Sequence, residues 1–144
     1  MEVVRLTPLV SIDLIVRNPG GQVLVGLRSN KPAQNTWFVP GGRICKDERM
    51  AAAFRRISQN ELGTALEMSQ ARFLGVYEHL YEDNFAGAAG VSTHYIVLAY
   101  EITLTQPLSS LPEAQHAAYR WFSVADLLRA EDVHPNTQAY FLEG

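Results

Sequence analysis

Cysteine is nearly absent from this chain of 144 residues, since Cys45 is the only one. A single cysteine excludes an internal disulfide and fits a reducing compartment, and we expect Cys45 itself to be a small packing residue. Long apolar runs are also lacking, because no stretch reaches the roughly 20 apolar residues of a membrane-spanning helix. We therefore expect a cytoplasmic protein with no membrane partner.

An excess of positive charge is lacking as well. Twelve lysines and arginines stand against 15 aspartates and glutamates, which gives a formal net charge of −3. This balance lacks the basic surface that a nucleic-acid polymer requires. A small anionic ligand needs only a few local cations, and Arg28, Arg43 and Arg56 are candidates for that role.

What is present fits one ordinary globular domain spanning residues 1–144. The chain is 47% apolar and 19% charged, and it contains no internal repeat or linker. A domain of this length buries roughly 68–70% of its unfolded surface, so it can form a core without disulfides.

The first recognisable pattern is a β-hairpin. Two apolar strands, Leu9–Arg17 and Gln22–Arg28, flank the sequence Asn-Pro-Gly-Gly. Proline followed by glycine at the centre of a turn predicts type II geometry, in which the central glycine supplies a positive φ. Asp13 interrupts the first strand, and its carboxylate must face either solvent or a polar site.

The best-defined helix follows a short buried strand at Trp37–Pro40 and a loop opened by Gly41-Gly42. We predict Asp47 as its N-cap, Glu48 in its first turn and Gly63 just beyond its C-terminus. Two β-rich segments, 71–82 and 92–105, come next. An irregular segment 106–118, a short strand 119–122, a helix begun by Ser123 and a short helix 134–142 complete an α+β domain with a mixed sheet between helices.

One carboxylate lies on the apolar face of the central helix. Met50, Phe54 and Ile57 share that face at 100° per residue, and Glu61 falls about 20° from Met50. Either the last helical turn frays and Glu61 points to water, or a cation holds it. A hard ion such as Mg²⁺ suits one carboxylate beside an oxygen-rich loop.

The segment GRICKDERMAAAFRRISQNELGT resembles the signature of the Nudix hydrolase family, G-x5-E-x7-R-E-U-x-E-E-x-G-U with U aliphatic. The matching residues are Gly42, Glu48, Arg56, Glu61 and Gly63. The resemblance implies a Nudix-like α/β/α sandwich with a mixed β-sheet.

The departures from the signature are informative. Ile57 and Asn60 occupy positions where the family usually has glutamates, and Ser58 and Thr64 occupy aliphatic positions. Fewer carboxylates imply that the site binds fewer metal ions or binds them more weakly. We therefore expect one Mg²⁺ per site, with Mn²⁺ as an alternative.

The segments TPLVSIDLIV, PAQNTWFVPGGR, YEDNF, THYIVL and EAQHAAYRW resemble one Nudix subfamily, the GDP-mannose mannosyl hydrolases. The resemblance implies a small-molecule partner, a nucleotide sugar such as GDP-mannose, GDP-glucose or GDP-fucose, hydrolysed at the anomeric carbon with inversion. It implies Gly41, Glu61 and Gln115 as metal ligands and His116 as the base that activates water. Taken alone, His116 would be read as a solvated loop histidine.

The same resemblance assigns further substrate contacts. Residues expected at the diphosphate or leaving group are Arg28, Arg43, Arg56 and Tyr95. Asp13, His79 and Tyr81 are candidates for contacts to the sugar or the base, and alternation along a strand places His79 and Tyr81 on one side. Each arginine could instead lie on the surface. In ordinary Nudix helices the arginine that corresponds to Arg56 pairs with signature glutamates, and two of those glutamates are replaced in this chain.

Two other functions remain open from the sequence. The first is a conventional Nudix pyrophosphohydrolase acting at phosphorus, and the second is a non-catalytic nucleotide-sugar binding module. The resemblance also implies a homodimer, for which the apolar terminal segments are candidates.

Overall fold

The computed structural model describes residues 2–28, 34–84, 86–105, 108 and 116–142, and for residues 116 and 117 the backbone alone. The chain begins with helix α1 (Glu2–Leu6), which the sequence did not predict. Strands β1 (Leu9–Arg17), β2 (Val23–Arg28), β3 (Trp37–Phe38) and β4 (Gly41–Arg43) follow.

The rest of the chain contains helix α2 (Met50–Leu62), a 3-10 turn (Met68–Gln70), and strands β5 (Arg72–Tyr81), β6 (Thr93–Thr103) and β7 (His116–Phe122). It ends with helices α3 (Val124–Arg129) and α4 (Pro135–Gln138) and a C-terminal 3-10 helix (Ala139–Phe141). The two predicted β-rich segments and the helix capped by Ser123 are confirmed. The predicted last helix is divided between α4 and the 3-10 helix.

The strands form one mixed sheet in the order β3-β2-β1-β6-β5, with β4 paired to β1 and β7 paired to β2. Strand β1 runs parallel to β6 over its whole length, from Leu9↔Tyr95 to Arg17↔Thr103. Its other edge pairs with β2 at Arg17↔Val23 and with β4 at Asp13↔Gly41. The predicted hairpin is therefore confirmed at its turn, but the two strands then separate.

Alternation along β1 distributes apolar side chains to two cores. Ile12, Leu14 and Val16 pack with Phe54 and Ile57 of α2. On the opposite face Ile15 packs with residues from the C-terminal part of the chain, among which are Leu127, Val133 and Tyr140. The sheet thus lies between two helical layers, and the expected α/β/α sandwich is confirmed.

The turn between β1 and β2 differs from the prediction. Gly21 has a φ of 81°, whereas Gly20 is not among the residues with positive φ. The Gly21 N–H donates to the Asn18 carbonyl at 2.9 Å, and the Asn18 side chain accepts from the Gln22 N–H. Because the left-handed residue follows the two central positions instead of occupying the second, type II geometry was wrong.

The start of the central helix was also predicted wrongly. Arg49 is the N-cap of α2 and provides no capping side chain, while Asp47 has a φ of 66° in the preceding turn. Glu48 also lies in that turn and not in the first turn of the helix. Its carboxylate accepts from the Cys45 N–H and pairs with Arg56. The C-terminal prediction is confirmed, since Gly63 has a φ of 74°.

Three further local predictions are corrected. Gly41-Gly42 does not open a loop, because pairing with β1 makes it part of β4. Met50 lies outside the buried face of α2, with 39% of its surface exposed. His116 begins strand β7 and does not lie in a loop, since its backbone pairs with Arg28 of β2.

Candidate active site

A polar cleft opens where β1, β2, β4, β5 and β6 meet the C-terminal end of α2. Its lining residues are Ser11, Asp13, Arg28, Phe38, Val39, Gly41, Gly42, Arg43, Glu61, His79, Tyr81 and Tyr95. Eight residues predicted from the sequence thus come together from segments far apart in the chain. Of the other three predicted residues, Arg56 lies elsewhere, His116 is described by its backbone alone, and Gln115 lies outside the described residues.

Glu61 reaches the cleft from the last turn of α2. Only 6% of its surface is exposed, and its Oε1 accepts from the Gly41 N–H at 3.3 Å. A frayed turn would leave this carboxylate in water, so that alternative is wrong. The apolar face of α2, through Phe54 and Ile57, anchors the helix on the sheet and so holds Glu61 against β4.

Gly41 is required where β4 approaches β1. A β-carbon at this position would overlap Oδ1 of Asp13 and lie 2.7 Å from the Ile12 carbonyl oxygen. The absence of a side chain therefore lets the Gly41 peptide lie directly beside the carboxylates of Asp13 and Glu61. This close approach brings the backbone of Gly41 and the buried carboxylate of Glu61 together in the cleft.

This donor set fits a hard divalent cation. Among the described residues, no group of three histidine, cysteine, aspartate or glutamate side chains could chelate a metal. A closed structural site is therefore not formed by them. One buried carboxylate and a carbonyl instead fit Mg²⁺, which keeps several waters and binds substrate phosphate oxygens.

Asp13 lies in a polar site and does not project into open solvent. Desolvation raises the pKa of its carboxyl to about 7, against the opposing effects of the Tyr140 hydrogen bond and the Arg28 charge, and Glu61 raises the pKa further. Tyr140 donates its hydroxyl to Oδ2 of Asp13 at 2.5 Å. The side chain is consequently held on the face of the sheet that carries the C-terminal layer.

His79 and Tyr81 lie on the same side of β5, as their alternation predicted. Their ring centroids are 6.5 Å apart, and both line the cleft. Only 5% of His79 is exposed, and desolvation, with a smaller contribution from the charge of His134, lowers its pKa to about 4. The imidazole is therefore neutral near pH 7. Burial also raises the pKa of the Tyr81 hydroxyl, which keeps it protonated.

Arg28 and Arg43 supply the positive side of the cleft. The Arg28 guanidinium lies 5.5 Å from the centroid of the Phe38 ring, a distance suited to a cation–π contact. Arg43 is exposed at the end of β4. Tyr95 lies beside Tyr81, with ring centroids 6.2 Å apart. These groups can receive an anionic ligand across from the two carboxylates.

Arg56 is not brought to the cleft. Its guanidinium donates to both carboxylate oxygens of Glu48, at 2.8 and 2.9 Å, and to the Arg43 carbonyl at 2.7 Å. Loss of the signature glutamates at positions 57 and 60 therefore does not free Arg56, because Glu48 satisfies it. Cys45 lies nearby and is exposed, so the packing role expected for it was wrong.

His116 lies beside the cleft in the sheet, since its backbone pairs with that of Arg28. Sequence reasoning missed two aromatic contributors. Phe38 lines the cleft, and Tyr140 lies behind it against Asp13 and His79. No sequence signal marks Tyr140, because its polar partners are distant in the chain.

The sequence matches the NUDIX domain over residues 7–143. Its fold resembles MutT NUDIX hydrolase from Burkholderia pseudomallei, with a TM-score of 0.73 and 26% identity over 93% of this chain and 95% of that one. MutT protein from Methanosarcina mazei Go1 gives a TM-score of 0.73 at 19% identity, with coverage of 93% and 91%.

The fold, the signature helix and these matches show that the chain belongs to the Nudix family of hydrolases. A curated relative is the low-salt glycan biosynthesis protein Agl8 of Haloferax volcanii, which is 36% identical over 139 residues. The alignment covers 96% of this chain and 83% of that protein. Among the described residues, no helix combines the length and apolar composition needed to cross a bilayer.

Proposed function

We propose that this protein hydrolyses a nucleotide sugar of the GDP-mannose type to GDP and free sugar. Water would attack the anomeric carbon with inversion, and the bond between that carbon and the diphosphate oxygen would break. The observation that carries this proposal is the single buried carboxylate of Glu61 on the cleft side of the signature helix. Each part of the cleft supports one requirement of the reaction.

The metal-binding side is reduced in charge. Ile57 stands at the position of a signature glutamate, and only 1% of its surface is exposed. Its Cγ1 would lie 3.1 Å from a β-carbon at Gly42. It therefore fills this space with hydrocarbon. Asn60, at a second glutamate position, is exposed. Glu61, the Gly41 carbonyl and, by resemblance, Gln115 are the groups that would hold one Mg²⁺.

Departure of the diphosphate requires neutralisation of its charge. When bound, Mg²⁺ supplies Lewis-acid stabilisation of negative charge on phosphate oxygens. Arg28 and Arg43 add positive charge on the same cleft, and Tyr95 adds a hydroxyl donor. With the leaving group stabilised in this way, no carboxylic acid is needed to protonate it, unlike in ordinary glycosidases.

His116 is proposed as the group that accepts the proton of the attacking water. The pairing of the His116 backbone with Arg28, an arginine that lines the cleft, supports this role. The oxygen of water then becomes the hydroxyl of the free sugar, and the electron pair of the broken bond leaves with GDP. A positioned base of this kind contributes about 10²–10⁴-fold to such a reaction.

The other end of the cleft suits a sugar. Asp13, His79 and Tyr81 provide hydrogen-bonding groups on a largely buried surface, and aromatic rings line it. The name of the Haloferax volcanii relative, which refers to glycan biosynthesis, agrees with a substrate that carries sugar.

Hydrolysis of GDP-mannose in ¹⁸O-water with Mg²⁺ tests the proposal. We expect the label in mannose. Label in GMP or mannose phosphate would contradict attack at carbon and support a conventional pyrophosphohydrolase. Binding of GDP-mannose without turnover would support the non-catalytic binding module. The same reaction without enzyme controls for spontaneous exchange.

A further inference from the structure

Tyr140 joins two cleft residues from behind. Its hydroxyl oxygen lies 2.5 Å from Oδ2 of Asp13 on β1 and 3.3 Å from Nε2 of His79 on β5. Tyr140 and His79 are 9% and 5% exposed. The Tyr140 ring is packed edge-on against Tyr77, with centroids 4.7 Å apart, which fixes its direction.

The distances determine which group donates. A phenol has one proton, and 2.5 Å is the length of a charge-assisted O–H···O⁻ hydrogen bond, so Tyr140 donates to the ionised carboxylate of Asp13. Its oxygen can then only accept from His79. The proton of the neutral imidazole must therefore be on Nε2, which leaves Nδ1 as an acceptor.

Each of the two cleft residues consequently keeps one acceptor atom. Oδ1 of Asp13 lies over the α-carbon of Gly41, in the space that a side chain there would occupy. Within the described part of the chain, neither this oxygen nor Nδ1 of His79 receives a hydrogen bond. Both residues line the cleft, and these are the acceptor atoms that remain to them for donors of a ligand.

We propose that Tyr140 is a positioning residue that holds His79 as the Nε2–H tautomer and so gives the cleft a pair of acceptors for two sugar hydroxyls. This inference rests on the proposed function and names the part of the cleft that selects the sugar. A site built to accept a hydroxyl rejects a ligand that lacks it, because its polar groups are then buried unpaired. Tyr140 itself does not need to touch the sugar.

The test uses Tyr140→Phe, with Tyr77→Phe as the matched control. Tyr77 packs against the same ring, but the described residues give its hydroxyl no hydrogen bond. First, ¹⁵N–¹H NMR of the wild-type protein at about pH 8 reports the His79 tautomer independently of activity. We expect Nε2–H in wild type and in Tyr77→Phe, and a shift toward Nδ1–H in Tyr140→Phe. Nδ1–H in the wild-type protein would overturn the proposal.

Second, calorimetry with Mg²⁺ compares GDP-mannose with GDP, which lacks the sugar. In Tyr140→Phe we expect about tenfold weaker binding of GDP-mannose and unchanged binding of GDP. The selection of sugar hydroxyls would be overturned if Tyr140→Phe weakened the binding of both ligands equally or of neither. It would also be overturned if the wild-type protein bound GDP-mannose no more tightly than GDP. Because neither measurement requires turnover, absence of hydrolysis would contradict the proposed function alone.

Discussion

The guanidinium of Arg56 donates to both carboxylate oxygens of Glu48, and its Nη2 also donates to the carbonyl of Arg43. The pair joins the middle of α2 to the turn that precedes it and to the end of β4. Arg43 lines the cleft, so this contact connects the signature helix to an arginine of the cleft.

Arg56→Lys and Glu48→Gln should therefore reduce turnover by shifting Arg43, roughly 10-fold each, and their effects should not add. Lysine cannot reproduce the two-point contact. Because Arg56 lowers the pKa of Glu48 to about 2, the pair persists at all ordinary assay pH values. Steady-state kinetics of the two single variants and the double variant measures the coupling.

The exposed pair Arg55–Glu67 is the control, since its side chains are 64% and 52% exposed. Arg55→Lys should leave turnover unchanged. Additive effects of Arg56→Lys and Glu48→Gln would show that the contact does not position Arg43.

Glu61→Gln should abolish most of the response to Mg²⁺ while leaving the fold intact. The amide oxygen can still accept from the Gly41 N–H, but the charge that favours a cation is lost. We expect turnover at low Mg²⁺ to fall roughly 100-fold and the thermal stabilisation by Mg²⁺ to disappear. Glu67→Gln on the surface is the control, and an unchanged Mg²⁺ requirement in Glu61→Gln would argue against a ligand role.

Gly41→Ala should destabilise the protein by about 1–3 kcal/mol because its methyl group overlaps Asp13 and crowds the Ile12 carbonyl. Gly20→Ala is the matched control, since its β-carbon would meet only Oδ1 of Asn18, at 3.5 Å, and its φ is not positive. Urea unfolding compares the two. Equal stabilities would mean that β4 and β1 can separate without cost.

Asp13 and His79 should give opposite pH dependences of stability. The pKa of Asp13 is raised from 3.8 to about 7, so its stabilising contribution is complete below pH 3.8 and is lost as pH rises through 7. The pKa of His79 is lowered from 6.5 to about 4, so its contribution is present above pH 6.5 and is lost as pH falls through 4. The lowered pKa of His134 acts in the same direction as that of His79.

Between pH 4 and 6.5 the two effects therefore oppose each other in the wild-type protein. Relative to wild type, Asp13→Asn should make stability rise more steeply with pH, and His79→Gln should make it fall, each by at most about 1.4 kcal/mol per pH unit. Unfolding free energies measured in EDTA across this range test the signs. Parallel curves for the three proteins would refute them.

His116→Gln should lower kcat by about 10²–10⁴-fold with little loss of fold, as expected for removal of a general base. His94→Gln is a suitable control, because His94 lies on β6 near Glu78, with Nε2 and Oε2 3.8 Å apart, and does not line the cleft. Near-normal turnover in His116→Gln would show that another group accepts the proton.

Local regularity explains what could be predicted from the sequence. The 100° spacing of α2 placed Glu61 on its buried face with Phe54 and Ile57, and two-residue alternation placed His79 and Tyr81 on one side of β5. The same spacing was wrong for Met50, which is the first residue of the helix and is exposed. Turn geometry at Gly20 and capping by Asp47 were wrong because several backbone conformations suit those residues.

The sequence by itself determined the signature helix, the two long β-rich segments and the candidate carboxylate, because each depends on the short repeat of a helix or a strand. Tertiary structure alone decided that Arg56 pairs with Glu48 and that Tyr140 holds Asp13. Asp13 and Tyr140 are 127 positions apart. Their hydrogen bond exists only because the C-terminal helices pack on the sheet, and no local pattern encodes which polar groups such packing brings together.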